Sequence, residues 1–389
     1  MLMKASFCGP PSIRLSQFIK ATPQHHTLSW FSDLRVYYTH KARTAIDHSC
    51  EILQLKNNDE VLIPSYNCGS EVDPFIKRGV QVREYRITKE CIIDIDDVRN
   101  KISDKTKLLY VTHYFGYPQK LDDVLQFCRD YKLYLLEDCA LSLFSSVGSK
   151  KLGTMGDLSV FSFPKSLPVP DGGALVVNNK TLMPEQHWDR KPTTFEYLAS
   201  NAFNIIKSTI LRETRQFHQV QKILRKILTK ERSEKRKFKV ADTQYEEMPN
   251  DYYFSDDVKD RDISLITRRL LLQFASEVVM ETRRRNYATY LSLLIDKANI
   301  DVLFKELPEG ICPLYFPVIV KDRDQICQRL NERLIHAIPW WAGYHRSLAW
   351  QENPDACFLK DNLLALPVHQ DINETGVEYV SECLIEFTR

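Results

Sequence analysis

The sequence predicts an α/β protein with a mainly parallel sheet in a large domain, followed by a smaller α+β C-terminal domain. Between about Arg43 and Asn178, segments with helical spacing of apolar residues alternate with short apolar strands. Strands that are apolar on both faces and joined by helices are typical of a parallel sheet covered on each side. A chain of 389 residues, 43% hydrophobic and 27% charged, suits a globular enzyme of two domains.

The elements predicted in the first half of the chain follow one another in a regular order. Helices are predicted over 44–55 and 121–131, and strands over 61–64, 80–85, 108–112, 134–136, 158–163 and 174–177. The polar run 65–70 follows the first of these strands and predicts a loop. We therefore expect the sheet to be complete before residue 180.

After residue 180 the pattern changes. Helical periodicity extends over 195–230, and 263–294 predicts one long helix. A strand over 315–320 and helices over 323–334 and 378–387 indicate an α+β arrangement. We predict a large domain over 1–260, with an N-terminal arm and a basic helical insertion at about 180–255, and a small domain over 261–389.

The basic insertion contains the strongest local charge of the chain. From Lys207 to Lys239 there are 12 lysines and arginines against 3 acidic residues, whereas the whole chain has a net charge of +2. Two interpretations are open: a docking surface for a membrane or an anionic substrate carrier, or a solvated helical extension that keeps the protein soluble. Beyond its charge, nothing in this segment indicates nucleic-acid binding, and we predict no nucleic-acid partner.

The ten cysteines indicate a reducing compartment. They are scattered singly from Cys8 to Cys383 without a CxxC pair, so neither a disulfide framework nor a metal site is predicted. Residues 1–20 lack the apolar region of a secretory signal, and no uncharged apolar run reaches the roughly 18 residues that span a bilayer. We expect a cytoplasmic protein.

Three groups of residues in the first domain could together bind pyridoxal phosphate (PLP). Asp138 ends an apolar strand, where parallel sheets place their ligand sites. Lys165 follows another strand, and Arg43 and Thr44 lie at the start of a helix, where a phosphate is stabilised. A PLP enzyme requires such a lysine, acid and phosphate cradle. Singly the signals are weak, because strand-end aspartates are often structural and lone lysines are often surface charges.

In combination, the motifs resemble the DegT/DnrJ/EryC1/StrS family of sugar aminotransferases, within fold type I of PLP enzymes. The resembling runs are NDEVLIPSYNC (58–68), THYFG (112–116), EDCA (137–140), GD (156–157), FSFPK (161–165) before GG (172–173), and ALPVH (365–369). The resemblance covers nearly the whole chain apart from the N-terminal residues and the basic insertion. It implies a mainly parallel sheet of seven strands and a homodimer.

The resemblance also implies residue roles. Lys165 would hold PLP as a Schiff base and move a proton between substrate and cofactor, and Asp138 would pair with the pyridine nitrogen. Further cofactor contacts would be Arg43, Thr44 and Ser162 at the phosphate and Cys68 on the ring face. Three departures accompany these matches: Ser162 lies unusually close to Lys165, Cys68 replaces a frequent aromatic residue, and Leu141 replaces a hydrogen-bonding residue.

The predicted substrate contacts are His113, Tyr344 and His345. His113 follows a strand, and a structural role is an equal alternative. Tyr344 and His345 fall where the family often has a substrate loop, while Trp340 and Trp341 beside them could stack on a sugar or base, although core packing is the favoured interpretation. The three arginines at 283–285 could bind an anion, but we favour a solvated helix face.

These residues lead to three functional hypotheses. The first is transfer of an amino group, from glutamate by family analogy, to the keto group of a nucleotide-linked sugar in polysaccharide or amino-sugar biosynthesis. The second is a PLP-dependent sugar dehydratase, although the family's dehydratases replace the lysine by histidine and Lys165 is present here. The third is a non-catalytic scaffold that docks through the basic insertion, which explains neither Lys165 nor Asp138.

Overall fold

The computed structural model describes residues 8–13, 24–182, 191–213, 253–256, 259–349 and 352–389. The strands of its central sheet are β1 (Val36–Thr39), β2 (Glu60–Pro64), β3 (Gln81–Tyr85), β4 (Thr106–Thr112), β5 (Tyr134–Asp138), β8 (Leu158–Ser162) and β9 (Gly173–Val177). Their order is β1-β9-β8-β5-β4-β2-β3. All neighbouring strands are parallel except β9, which runs antiparallel to both β8 and β1. The prediction of a mainly parallel seven-stranded sheet is therefore confirmed.

Alternating apolar residues explain why this sheet is covered on both faces. Leu62 and Leu109 are register partners whose side chains point into one hydrophobic core. Their neighbours Val61 and Leu108 are also paired and point into a second core on the opposite face. Because successive side chains of a strand point to opposite faces, runs that are apolar throughout are buried on both sides.

Helices connect and cover the strands of the large sheet. They are α1 (Ala42–Ile52), α2 (Asp73–Lys77), α3 (Ile95–Lys101), α4 (Leu121–Tyr131) and α5 (Phe163–Ser166). The short strands β6 (Ser146–Val147) and β7 (Lys150–Lys151) form a separate hairpin between β5 and β8. Helix α4 has the predicted bounds and ends where Lys132 adopts a left-handed conformation (φ 56°), a common C-terminal stop.

A second, antiparallel sheet lies in the C-terminal part of the chain. It consists of β10 (Asp301–Val302), β11 (Tyr315–Ile319), β12 (Ile338–Pro339) and β13 (Leu363–Pro367), in the order β10-β11-β13-β12. The helices of this part are α8 (Ser276–Leu294), α9 (Arg323–Glu332), α10 (Pro354–Asn362) and α11 (Glu374–Phe387). One hydrophobic core contains residues of both sheets, including Leu109 of β4 and Phe316 of β11. Cys8 also packs here, and its carbonyl accepts a hydrogen bond from the His336 amide.

The helix predicted over 263–294 is two helices, α7 (Leu265–Leu271) and α8. The residues between them bond to the N-terminal part of the chain: the Thr27 hydroxyl donates to the Phe274 carbonyl, and the Ser276 amide donates to the His25 carbonyl. Phe274 itself is buried in the core beside the large sheet. This tertiary pairing overrides the helical periodicity, so the prediction of one continuous helix was wrong.

Helix α6 (Phe195–Glu213) begins where the sequence predicts a helix. Most of the basic segment Lys207–Lys239 lies outside the described residues. The Thr209 hydroxyl donates to the Ile13 carbonyl, whereas Phe203, Ile206 and Ile210 are exposed. Within the described ranges, no helix combines the length and apolarity needed to cross a membrane. All ten cysteines are free thiols, as predicted.

Candidate active site

The predicted cofactor residues meet at one edge of the large sheet. Asp138 is the last residue of β5, and Ser162 is the last residue of the neighbouring strand β8. Lys165 follows three residues later, in α5. Gly173, the first residue of β9, is the register partner of Ser162. The carboxyl ends of β5 and β8 thus bring together residues that are up to 35 positions apart in the sequence.

Lys165 lies on a short helix that is held from the protein interior. Phe163 at the start of α5 is fully buried, and the Ser166 carbonyl accepts a 2.6 Å hydrogen bond from Nη2 of Arg283. The Lys165 side chain is partly exposed, and its Nζ lies 5.5 Å from the centroid of the Trp341 ring. The backbone of α5 is therefore anchored, while the Lys165 amine faces the Trp341 ring.

Asp138 presents a buried carboxylate near that amine. Its Oδ1 accepts a 2.8 Å hydrogen bond from the Ala140 amide, and the Tyr110 hydroxyl lies close by. Burial raises the pKa of Asp138 and Glu71 raises it further, whereas the positive charge of Lys165 lowers it. A carboxylate has about four acceptor positions, so Asp138 retains capacity for a protonated ring nitrogen, and a cationic partner would favour its ionised form.

The start of helix α1 forms a cradle beside Ser162. A Cβ atom on Gly173 would lie 2.6 Å from the Ala42 amide nitrogen, so only glycine allows the helix to approach β9 this closely. Lys41 caps the helix without a side-chain hydrogen bond, and the positive end of the helix dipole favours an anion beside this turn. Thr44 is buried in this turn, and Arg43 donates a 2.9 Å hydrogen bond to the Tyr253 carbonyl.

Cys68 has a carboxylate partner that sequence analysis missed. Its amide donates to Oε1 of Glu71 at 3.0 Å, and its thiol donates to Oε2 at 2.7 Å. Burial and the charge of Glu71 raise the pKa of Cys68 to about 12, so the thiol is neutral near pH 7. Because Glu71 also raises the pKa of Asp138, both acids belong to one pocket. The only signal in the sequence was a glutamate three residues after Cys68.

The predicted substrate contact His113 is fully buried, and both of its ring nitrogens are engaged. Nδ1 accepts a hydrogen bond from the Gln119 amide at 3.1 Å, so Nε2 is the donor to Glu137 at 3.0 Å. Glu137 also accepts from the amides of Gly153, Met155 and Gly156. These bonds give His113 a structural role. They also occupy the carboxylate of the buried group His113, Glu137 and Cys139, whose geometry alone resembles a metal site.

Tyr344 and His345 are also buried. His345 Nδ1 accepts from the Ser347 amide at 3.1 Å, and Nε2 lies 3.4 Å from the Asp73 carboxylate. The Tyr344 ring packs against the ammonium group of Lys360, 4.7 Å from its centroid. The structure therefore uses both residues to hold the loop after β12, and it does not present them to a substrate.

Among the remaining candidates, the structure separates residues that sequence analysis grouped together. Trp340 is buried against Phe115 and Tyr315, in agreement with core packing. Trp341 is only partly buried and faces Lys165. Arg283 is 2% exposed and donates to the carbonyls of Ser166, Pro313 and Leu314, so neither a solvated face nor an anion site describes it. Leu141 is buried in the shared core.

The residues at this edge fit PLP. Lys165 offers an amine, Asp138 offers a buried acid, and α1 directs its N-terminus to this edge, where Gly173 allows its close approach. Trp341 and Cys68 provide apolar or weakly polar surface around the amine. An aromatic ring with an aldehyde, a basic nitrogen and a phosphate matches this set of donors and acceptors.

Comparison with known proteins gives the same identification for the sheet region. A model of the DegT/DnrJ/EryC1/StrS aminotransferase family matches residues 38–187. A GDP-perosamine synthase of Vibrio cholerae is 30% identical over 141 residues, which are 36% of this chain and 38% of that protein. A dTDP-4-dehydro-2,3,6-trideoxy-D-glucose 4-aminotransferase of Saccharopolyspora spinosa is 24% identical over 361 residues, 90% of this chain and 83% of that protein. The match to the Vibrio protein thus spans little more than a third of its length.

Solved structures resemble the chain over nearly its full length. The aminotransferase TlmJ of Streptoalloteichus hindustanus has a TM-score of 0.68 at 18% identity, with 98% of each chain covered. A GDP-4-keto-6-deoxy-D-mannose-3-dehydratase of Escherichia coli with bound hydrated PLP has a TM-score of 0.65 at 17% identity, covering 98% of this chain and 99% of that one. The chain thus has the fold of these PLP-enzyme structures, and its residues 38–187 match the model of the DegT/DnrJ/EryC1/StrS aminotransferase family.

Proposed function

We propose that this protein is a PLP-dependent aminotransferase that moves an amino group, from glutamate, to the keto group of a nucleotide-linked sugar. The observation that carries the proposal is the approach of the Lys165 amine to the buried Asp138 carboxylate at the sheet edge, beside the N-terminus of α1. The names of the Vibrio and Saccharopolyspora relatives support a sugar acceptor.

Each residue of the site has a distinct task in this reaction. When bound, PLP supplies an electron sink that allows a C–H bond next to nitrogen to break. Lys165 Nζ would hold the cofactor and would move the proton at the substrate carbon. Asp138 stabilises a proton on the ring nitrogen, because a cation beside a buried acid offsets the cost of its ionisation. The N-terminus of α1 and Ser162 would bind the phosphate, and Trp341 would shield the reacting amine from water.

The test is turnover of 4-keto sugars linked to GDP or dTDP, with glutamate as donor and PLP present. We expect an amino sugar and an equal amount of 2-oxoglutarate from the wild type, and neither from Lys165→Ala. Lys101→Ala is the control, because Lys101 forms a partly exposed ion pair with Asp97 on α3 and is expected to keep full activity. Turnover by Lys165→Ala would contradict the proposal.

The dehydratase hypothesis has one structural observation in its favour, the likeness to the Escherichia coli dehydratase. The same assay separates the two reactions, because a dehydratase product has lost a hydroxyl group and gained no nitrogen. We expect no such product, since Lys165 occupies the position that the family's dehydratases give to histidine. A scaffold would bind no PLP and convert no sugar.

We further propose a cytoplasmic homodimer that contacts anionic lipid through α6 and the basic segment. The exposed residues Phe203, Ile206 and Ile210, next to the excess of basic residues at 207–239, support a lipid contact. Light scattering should give about twice the chain mass of 45.5 kDa. Vesicles containing phosphatidylglycerol should bind the protein at low salt, and equal binding to neutral vesicles would contradict the electrostatic contact.

A further inference from the structure

Lys360 is a buried lysine that the function proposed above does not use. It lies in α10 and is 2% exposed. Its Nζ donates three hydrogen bonds, to the carbonyl oxygens of Asn67 at 2.8 Å, Trp341 at 2.9 Å and Gly343 at 2.7 Å. An ammonium group has three N–H donors, so all of them are used.

The three acceptors belong to two loops from distant parts of the chain. Asn67 precedes Cys68 in the loop after β2, whereas Trp341 and Gly343 lie in the loop after β12. The Trp341 ring faces Lys165, and the charge of Lys165 lowers the pKa of Cys68, so both loops border the same amine. Lys360 therefore joins the two loops that border the Lys165 amine, from the buried side of those loops.

The loop after β2 is itself held in place by hydrogen bonds of the Asn67 side chain, so Lys360 ties the second loop to a fixed part of the structure. The Asn67 amide group donates to the Pro64 carbonyl at 2.9 Å and to Glu84 at 3.1 Å, and its Oδ1 accepts from the Gly69 amide at 3.0 Å. The Tyr66 hydroxyl adds one neutral bond of 3.2 Å to the Trp340 carbonyl, at the near end of the second loop. The Trp341 ring also packs against the rings of Tyr66 and Tyr114, with centroids 5.3 and 5.8 Å apart. The charged bonds of Lys360 reach further along the loop than the Tyr66 bond and hold its backbone at Trp341 and Gly343.

We propose that Lys360 is a positioning residue that ties the loop carrying Trp341 to the loop carrying Cys68 and thereby fixes the position of the Trp341 ring over Lys165. Its effect on PLP rests on the proposed function, but its effect on the loops does not. Methionine can fill the space of the side chain but offers no donor, so two loops lose their common partner. The planar guanidinium of an arginine cannot reproduce three converging bonds from one nitrogen.

The link also has a pH signature. Burial lowers the pKa of Lys360 to about 8, and above that pH a neutral amine donates only two hydrogen bonds. Burial raises the pKa of Cys68 to about 12, well above this change, and that of Glu84 to about 7, close to it. The pH effect is therefore assigned to Lys360 through its loss in Lys360→Met. The titratable and charged groups near Lys360 come from four elements and two rings: Cys68 and Glu71 from the first loop, Glu84 from β3, Cys357 and Asp361 from α10, Arg323 from α9, and the rings of Tyr66 and Tyr344.

The first experiment uses the protein without PLP. Acrylamide quenching of the Trp341 fluorescence, taken as the difference from a Trp341→Phe background, should increase severalfold in Lys360→Met. In the wild type the same quenching should rise as the pH passes about 8, and this rise should be missing in Lys360→Met. Unchanged quenching in Lys360→Met would overturn the proposal.

Asn286→Leu is the matched control. Asn286 is buried and its amide nitrogen donates to the carbonyls of Val368, His369 and Ile372, in neither of the two loops. The substitution should lower the melting temperature without changing Trp341 quenching. If quenching increased as much in Asn286→Leu as in Lys360→Met, Lys360 would only stabilise the fold in general, and the positioning role would be contradicted.

The second experiment measures PLP affinity by the visible absorption of the bound cofactor. If the conformation with Trp341 over Lys165 falls to about a tenth of its population in Lys360→Met, the apparent dissociation constant of PLP rises about tenfold. This constant should stay unchanged in Asn286→Leu. Changed Trp341 quenching together with an unchanged affinity for PLP would show that the position of Trp341 does not affect cofactor binding, and would overturn that part of the proposal. A wild type that binds no PLP refutes the proposed function, while the quenching result decides the positioning role separately.

Discussion

Replacing Gly173 by alanine should damage the phosphate cradle while leaving the rest of the site in place. The new Cβ would lie 2.6 Å from the Ala42 nitrogen and 2.7 Å from the Lys41 carbonyl carbon. Non-bonded atoms are at optimal separation near 3.5–4.0 Å, so the first turn of α1 must move by about 1 Å. Both contacts are with backbone atoms, and no side-chain rotation can relieve them.

The size of the effect follows from the hydrogen bonds of the cradle. A hydrogen bond to a charged group contributes about 1.5–3 kcal/mol, so the loss of one bond to the phosphate weakens PLP binding by about tenfold to a hundredfold. Pyridoxal, which has no phosphate, should bind Gly173→Ala and the wild type with similar affinity. Absorption titrations of the protein with PLP and with pyridoxal measure both constants.

Gly148→Ala is the control for this comparison. Gly148 has a left-handed conformation (φ 56°), but a Cβ added there would meet no atom within 4 Å, so alanine strains only the local backbone. We expect a loss of about 1 kcal/mol in the free energy of unfolding and unchanged PLP affinity. If Gly173→Ala folds and binds PLP as tightly as the wild type, the start of α1 is not the phosphate site.

Three further substitutions test individual residues. His113→Leu leaves the buried Glu137 without its donor, so the free energy of unfolding should fall by about 2–4 kcal/mol in urea, whereas a raised KM with unchanged stability would support a substrate contact. Burial raises the pKa of Glu84 to about 7, so the wild type loses stability as the pH rises from about 4.5 through 7. Glu84→Gln should lack that part of the loss when the free energy of unfolding is measured by denaturation on either side of this range. Asp138→Asn should retain PLP yet lower kcat by about 10²–10³, and unchanged kcat would remove Asp138 from the cofactor site.

The sheet was predictable because its signal is local. Strands that are apolar on both faces, such as β2, and helix α4, with its apolar face, show their periodicity within about ten residues. The short strands β1 and β12 were missed, since four or two residues carry too little pattern. The break between α7 and α8 depends on residues 25–27, which no local pattern connects to it.

The site shows the same division between local and distant information. Lys165 and Asp138 could be predicted to lie together because each stands at the end of a strand of the predicted sheet, whose edge collects such residues. Glu71 and Lys360 were missed, because their partners are set by the fold: Lys360 and Asn67 are 293 residues apart in sequence. The choice between a substrate contact and a structural role for His113 stayed open for a related reason, since nothing in the sequence reveals that Glu137 and Gln119 occupy its ring nitrogens.

The visible absorption spectrum of the purified protein with added PLP, before and after excess glutamate, tests the central claim most directly. We predict a band for the cofactor bound to Lys165 that glutamate bleaches and that Lys165→Ala lacks. A band that glutamate leaves unchanged would contradict the proposed donor or reaction. The same band in Lys165→Ala, or no band in the wild type, would contradict the assignment of Lys165 as the residue that holds the cofactor.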